Sequence, residues 1–295
     1  MQTVPHALLS FQVLSDAHFE MLPRDYDITA KLPPVLAPVI VLAGDIYVGR
    51  NDNFRDIMQT IARRYEHVIY VLGNHEYYGF RTYVYAMDEV LRYIQQCCNS
   101  IPNVHILQDS EYTLRGVTFV GGTMWTDIPP YEFPLAAYKM ADFSVIGVKG
   151  QNGAVRELSP EDVTAMHEKT RSSLQQVLQR STHATNPTKI VAVTHHAPST
   201  LYPGNWYRED IYRPYYFATD VDDLLDHTPS LTTWIHGHTH CFVNRVTPKG
   251  VRVVANARGY DATDFAELNP LYDPTLVVTV YSDGTTTTSS TVPGQ

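Results

Sequence analysis

The sequence predicts an α/β protein in which parallel βαβ units lead into a strand-rich second half, packed as a layered sandwich. Three observations carry this expectation. Apolar runs rich in Val and Ile recur along the 295-residue chain, and many are continuous rather than alternating, as in strands covered on both faces. Segments with an apolar stripe at 3.6-residue spacing separate the first of these runs. Strands and helices alternate first and strands then follow in succession, an order that layered α/β folds produce.

Taken in order, the first strand is read over 10–15 in SFQVLSDAH, the second over 39–43 in PVIVLAGD and the third over 67–72 in HVIYVLGNH. Between the second and third, Phe54, Ile57, Met58, Ile61, Ala62 and Tyr65 mark one face of a helix over 53–65. Beyond the third, Val84, Met87, Val90, Leu91, Ile94 and Cys98 do the same over 83–98, so Cys98 reads as packing rather than chemistry. Shorter strands follow at 104–107 and 117–122. SPEDV at 159–163 is a helix start: Ser159 can cap, Pro160 suits the first helical position, and Asp162 stands at the capping-box position. Val163, His167, Thr170, Leu174 and Val177 mark its inner stripe, which makes His167 structural. Strands at 189–194, 232–236, 251–255 and 275–281 complete the series. Residues 126–150 and 199–216 read as long loops of the kind that often carries function. No repeat or linker divides the chain, which reads as one domain over 1–295.

Composition narrows the functional classes. The formal net charge is −9 and no Lys/Arg-rich block appears, which disfavours a nucleic-acid partner. It leaves a phosphate substrate open, because bound metal ions supply local positive charge. Three cysteines, two of them adjacent, do not make a disulfide framework. The residues before Asp16 lack the basic start and long apolar core of a signal peptide, and no stretch approaches the roughly 18 to 20 apolar residues of a membrane span. A cytoplasmic location without membrane attachment is therefore expected. Oligomeric state is not legible.

The chemistry gathers where apolar runs stop. GNHEYYGF at 73–80 begins like a zinc-protease H-E-x-x-H, but Gly79 stands where the second His is needed. Its Asn74 and His75 instead follow a strand end, as do Asp16 and His18 in SDAH, Asp45 in AGD, His195 and His196 in THH, and His236, His238 and His240 in HGHTH. In α/β sheets, side chains just beyond the carboxyl ends of strands line the active crevice. Two Asp, one Asn and several His form an oxygen and imidazole ligand set that suits borderline divalent ions such as Mn, Fe, Zn or Co.

D-x-H, GD, GNHE, a His in TH-x-x-P and GHTH, in this order from Asp16 to His240, resemble the motifs of the calcineurin-like metallophosphoesterases. MWTD at 124–127, FATD at 217–220 and NARGY at 256–260 look like segments of a bacterial-type branch. The resemblance implies a four-layer α/β/β/α sandwich with a dinuclear metal centre. It implies one divalent transition-metal ion held by Asp16, His18, Asp45 and His240, and a second held by Asp45, Asn74, His195 and His238, with Asp45 bridging. It implies hydrolysis of a small-molecule phosphoester by a metal-bridging hydroxide, with His75 stabilising the transition-state charge or protonating the leaving group.

A phosphodiester is the leading substrate, a nucleotide among the candidates. The alternatives are a phosphomonoesterase on the same centre and a non-catalytic metal-binding scaffold. Several residues keep two readings. His196 borders the substrate if His195 is the ligand. Arg258 is either a phosphate contact or one half of a structural ion pair. His236 either supports a ligand or packs in the core. The aromatic run 201–217, with Trp206, either stacks on a flat substrate group or packs as a loop, and Trp125 and Tyr260 share that ambiguity.

Overall fold

The computed structural model describes residues 4–79, 85–185, 187–201, 214–226, 230–262 and 266–291. Its strands are β1 (Ala7–Leu14), β2 (Val39–Ala43), β3 (His67–Val71), β4 (Val104–Leu107), β5 (Ser110–Leu114), β6 (Val117–Gly122), β7 (Gly147–Lys149), β8 (Val155–Glu157), β9 (Lys189–Thr194), β10 (Leu231–His236), β11 (Phe242–Val246), β12 (Arg252–Asn256), β13 (Gly259–Asp261), β14 (Ala266–Leu268), β15 (Val277–Tyr281) and β16 (Thr286–Ser289). The helices are α1 (Phe54–Ala62), α2 (Met87–Asn99), α3 (Phe133–Lys139), α4 (Asp142–Val145), α5 (Pro160–His183) and α6 (Asp222–Asp226).

Two six-stranded sheets dominate, in the orders β16-β15-β1-β2-β3-β4 and β11-β12-β10-β9-β6-β5. In each, four adjacent strands run parallel; the antiparallel β15 and β16 extend the first block on one side, and β11 and β5 flank the second on both sides. The continuous apolar runs follow from the period-2 geometry of strands with a core on either side. Phe11, Val13, Val41 and Val71 of the first sheet meet Phe119, Val191, Val193, Ile235 and Val254 of the second in a shared core. The alternate residues Leu14, Ile40, Leu42 and Tyr70 face outward onto Phe54, Met58 and Ile61 of α1 and Val90, Ile94 and Cys98 of α2. On the far side, Ile190, Ala192, Trp234 and Val253 pack against Leu174, Val177 and Leu178 of α5 and Leu224 and Leu225 of α6. The layers are therefore α/β/β/α, and each fully buried Leu, Ile or Phe in them contributes about 1.5–3 kcal/mol.

The two sheets are tied at their carboxyl ends. The Asn256 side-chain amide donates to Val13 O at 2.8 Å and to Asp273 O at 2.8 Å. Arg258 N–H donates to Ser15 O at 2.9 Å, and Gly259 N–H to Asp16 O at 2.9 Å. This brings the ends of β1, β2 and β3 beside those of β9, β10 and β12.

Most predicted elements are present with shifted ends. The first strand runs 7–14 rather than 10–15, and the helix expected over 53–65 stops at Ala62, with Tyr65 still buried. The helix expected from 83 begins at Met87, and residues 80–84 lie outside the described residues. The Ser159 capping box forms in both directions, with Asp162 N–H donating to Ser159 Oγ at 3.4 Å and Ser159 N–H to Asp162 Oδ2 at 2.9 Å. Residues 126–150 are not one open loop: they hold α3, α4 and β7, elements too short to show a periodic stripe.

Candidate metal centre

Each carboxyl end in this cluster departs from extended geometry at the residue that carries chemistry. Asp16, His18, Asp45, His238 and His240 have φ of 52°, 45°, 56°, 64° and 48°, in the left-handed region that non-glycine residues seldom occupy. Residues i and i+2 of a straight strand share a face and point along parallel directions; the turned backbone at Asp16, His18, His238 and His240 breaks that geometry where their side chains gather. The neighbouring glycine at 73 makes room: a Cβ there would stand 2.1 Å from Asp45 Oδ1 and 2.8 Å from His195 Cε1.

The side chains converge in two groups. In the first, ligand-type atoms of Asp16, His18 and His240 lie within 4.8 Å of one another; in the second, those of Asp45, His195 and His238 do. His18 Nε2 and His240 Nε2 are 3.1 Å apart, and His240 Nε2 is 3.6 Å from Asp16 Oδ1. His195 Nε2 is 3.0 Å from Asn74 Oδ1 and 3.3 Å from Asp45 Oδ2. Asp45 Oδ2 is also 3.8 Å from His18 Nε2, so a single oxygen stands between the two groups.

These residues fit divalent ions. Asp16 Oδ2 and His238 Nε2 are buried with no hydrogen-bond partner among the described residues, an arrangement that otherwise leaves polar atoms desolvated at a cost of about 1–3 kcal/mol each. His195 donates Nδ1–H to Ala43 O at 2.8 Å, which turns Nε2 inward. Burial opposes a charge on His195, yet Asp45, Asp16 and the Ala43 carbonyl together outweigh it and lift the pKa to about 10. The pocket thus favours positive charge. Burial, together with neighbouring imidazoles, pushes His238 and His240 well below the usual histidine range, which keeps them in the neutral form that binds metals.

Three further carboxylates orient the ligand candidates. Glu20 Oε1 lies 3.0 Å from His18 Nδ1 and 3.1 Å from His75 Nδ1. Although burial works against its charge, hydrogen bonds to His18 and His75 hold its pKa near 2. Asp142, from α4, accepts Asn74 Nδ2–H at 2.9 Å and the Tyr78 hydroxyl at 2.8 Å, which points Asn74 Oδ1 at the second group. Glu76 accepts backbone N–H groups from Asp45, Ile46 and Gly73, and so acts on the loops rather than on a substrate. Glu20 had a signal in the sequence, standing two residues past His18 in SDAHFE. Asp142 had only its place in a segment marked as a long loop, since Asn74 is 68 residues away.

A cleft of about 250 Å³ opens above, lined by Asp45, Asn74, His75, His238 and His240 and walled by Tyr78, Lys139, Phe217 and Tyr260. His75 stacks on Tyr78 with ring centroids 4.1 Å apart. Burial opposes its charge, but Asp45 and Glu20 raise its pKa to about 9.

Other candidates are set back. His196 is buried, donates Nδ1–H to Thr123 O at 3.2 Å and backs the His238 ring at 4.1 Å, so it supports a ligand candidate rather than bordering the cleft. The buried Arg258 guanidinium is hydrogen-bonded to Asp261 and to Ala17 O at 3.3 Å, the ion-pair arrangement of its two readings. His236 and Trp125 are buried away from the cleft, and His167 donates to Met124 O at 3.0 Å as a core residue. Trp206 and the rest of 202–213 lie outside the described residues.

Residues 9–242 match the family model of the calcineurin-like phosphoesterases. An uncharacterized protein of Acanthamoeba polyphaga mimivirus is 24% identical over 227 residues, spanning 75% of this chain and 78% of that protein. The fold is shared with the phosphopantetheinyl hydrolase of Mycobacterium tuberculosis, at TM-score 0.61 and 20% identity over 86% of this chain and 90% of the other. It is also shared with a dimetal phosphatase of Danio rerio, at TM-score 0.54 and 12% identity over 97% and 100%.

Proposed function

We propose, on the premise that this chain belongs to the calcineurin-like phosphoesterase family, that it hydrolyses small phosphodiesters at a centre for two divalent ions. Membership makes it a metal-dependent phosphoesterase. The observation that carries the fuller reading is Asp45 Oδ2, which stands between His18 and His195. In this reading Asp16, His18, Asp45 and His240 hold one ion, and Asp45, Asn74, His195 and His238 hold the other. The mixed oxygen and imidazole set favours Mn, Fe, Zn or Co. Ions bound there polarise the phosphoryl group and activate water at neutral pH.

The chain's own residues do the remaining work. Two carboxylates against two dications leave a formal charge of about +2, which attracts a phosphate anion into a protein that is acidic overall. His75 lines the cleft with Nδ1 held by Glu20, which leaves Nε2 to face the substrate and give a proton to the leaving oxygen. Tyr78 stacked on its ring fixes its plane.

The diester preference rests on the supply of cations. A terminal phosphate dianion calls for positive groups beyond the metals. Among the described residues Lys139 is the one Lys or Arg that lines the cleft, and Arg258 is taken by Asp261. The flat faces of Phe217 and Tyr260 suit a planar arm such as a nucleobase. A cytoplasmic location belongs to the same proposal and is supported by three free cysteines.

The test is hydrolysis of bis-p-nitrophenyl phosphate against p-nitrophenyl phosphate after metal removal and return of Mn²⁺. Metal-dependent turnover that favours the diester is expected. A preference for the monoester refutes the diesterase reading.

A further inference from the structure

The cleft wall holds a charged group that the chemistry at its floor does not use. Lys139 ends α3, away from the strand ends that supply the ligand candidates, and it is half-buried. It forms no ion pair among the described residues, and its Nζ lies 5.3 Å from the centroid of the Tyr138 ring. Asp142 lines the same wall, and its Oδ1 accepts from Asn74 and Tyr78. Met140, Phe217 and Tyr260 lie on the cleft wall with it and offer apolar and flat faces.

We propose that Lys139 reads a second negative charge on the organic arm of the substrate, so that the enzyme acts on phosphoesters whose arm is planar beside the phosphate and anionic beyond it. This rests on the reading of the cleft as the substrate site. The reacting phosphate is drawn to the floor, where the cations of the centre gather. A lysine on the wall then meets whatever the arm presents. Its ammonium is a compact point charge that accepts a carboxylate or a second phosphate alike. Half-burial weakens the screening that makes open surface pairs nearly worthless, so the contact discriminates. The aromatic faces place a flat group between the two anions, which fixes their separation and excludes arms that are bulky next to phosphorus.

The experiment uses the Mn²⁺-loaded protein and two phosphonates that differ by one carboxylate: phenylphosphonate and 4-carboxyphenylphosphonate. Both are held through phosphorus whether the natural substrate is a monoester or a diester, because a diesterase also binds a monoester product. Titration calorimetry gives the two dissociation constants for the wild type, Lys139→Met and Lys139→Arg. In the wild type the carboxylate tightens binding about fivefold, as for a partly screened charge-assisted contact. The advantage disappears in Lys139→Met, which keeps most of the apolar stem, and persists in Lys139→Arg. Equal affinities in the wild type, an advantage that survives Lys139→Met, or no binding of either phosphonate overturns the proposal. Turnover of bis-p-nitrophenyl phosphate by the same wild-type sample reports separately on the diesterase reading: it can fail while the carboxylate effect stands, and the reverse.

Discussion

Replacing Glu76 by Gln exchanges one carboxylate oxygen for an amide NH2 and tests how the centre is held. The side chain is fully buried, and its carboxylate takes four hydrogen bonds. Asp45 N–H and Gly73 N–H donate to Oε2 at 2.9 and 2.6 Å; Ile46 N–H and the Tyr70 hydroxyl donate to Oε1 at 2.8 and 2.6 Å. Burial and the Asp45 charge push the Glu76 carboxyl up, whereas the donors that surround it favour the ionised form.

A glutamine must put its amide nitrogen in place of one oxygen. At the Oε2 position it would face two backbone N–H groups that cannot turn. At the Oε1 position the Tyr70 hydroxyl can rotate and accept, so a single donor, Ile46 N–H, is left unmet. That orphan costs about 1–3 kcal/mol, and the two bonds to the remaining oxygen lose charge assistance worth about 1 kcal/mol each. The expected destabilisation is therefore about 3–5 kcal/mol, or roughly 5–15 °C in the melting temperature of a chain this size. Urea unfolding and thermal melts measure it. Because Asp45 and Gly73 sit on the loops that Glu76 ties, turnover should fall as well. A Glu76→Gln protein within about 0.5 kcal/mol of the wild type would refute the bracket, since the two side chains are nearly isosteric.

Other expectations follow from the same geometry. Asp45→Asn should cut turnover at least a hundredfold, roughly the upper end of what loss of a ligand's own support costs. Its far-UV circular dichroism should match the wild type, and full activity would remove the bridging role proposed for it. Gly73→Ala puts a Cβ 2.7 Å from Asp45 N as well as against its carboxylate, so turnover should drop by more than the change in melting temperature explains; an active, unshifted protein contradicts the need for close approach. Glu20→Gln should slow alkyl phosphodiesters about tenfold more than p-nitrophenyl esters, because a poor leaving group depends on the proton that His75 supplies in its proposed role. Equal losses on both substrates, with metal content reduced, would assign Glu20 to His18 instead.

The candidate centre is legible in the sequence because its parts share one local signature, a buried apolar run that stops at a polar residue. Asp16, Asp45, Asn74, His195 and His238 each follow such a run, so strand prediction and site prediction became one task. The supporting carboxylates lack that signature. Glu20 is found beside His18, but nothing in its neighbourhood points to His75, 55 residues on. Asp142 sits in a four-residue helix with no periodicity to reveal it, and its value lies in turning an amide supplied by another sheet end. The strands of the two large sheets that were not predicted, Ser110–Leu114, Phe242–Val246 and Thr286–Ser289, lie at sheet edges. There one face or both stay partly exposed, and polar residues break the apolar run on which the reading depends. Arg258 shows a different limit. A guanidinium near a phosphate-type centre invites a substrate contact, and only the placement of Asp261 three residues along shows where its charge is spent.

The backbone itself bears on what the centre is for. Five of the nine non-glycine residues with positive φ among the described residues are Asp16, His18, Asp45, His238 and His240. Left-handed backbone costs a residue with a Cβ about 1–2 kcal/mol, and glycine would avoid the cost at each position. The surrounding chain fixes the strained turns: Asp16 N–H donates to Gly44 O and His18 N–H to Asp45 O, both at 3.0 Å. Stability alone gives no reason to prefer Asp or His over Gly at five such turns. A side chain there must be wanted for what it reaches, and all five reach the same few ångströms. Local conformational preference gives way where function outweighs it. The coincidence of strain, burial and ligand chemistry at these five positions is thus an argument for the centre that does not depend on resemblance to any other protein.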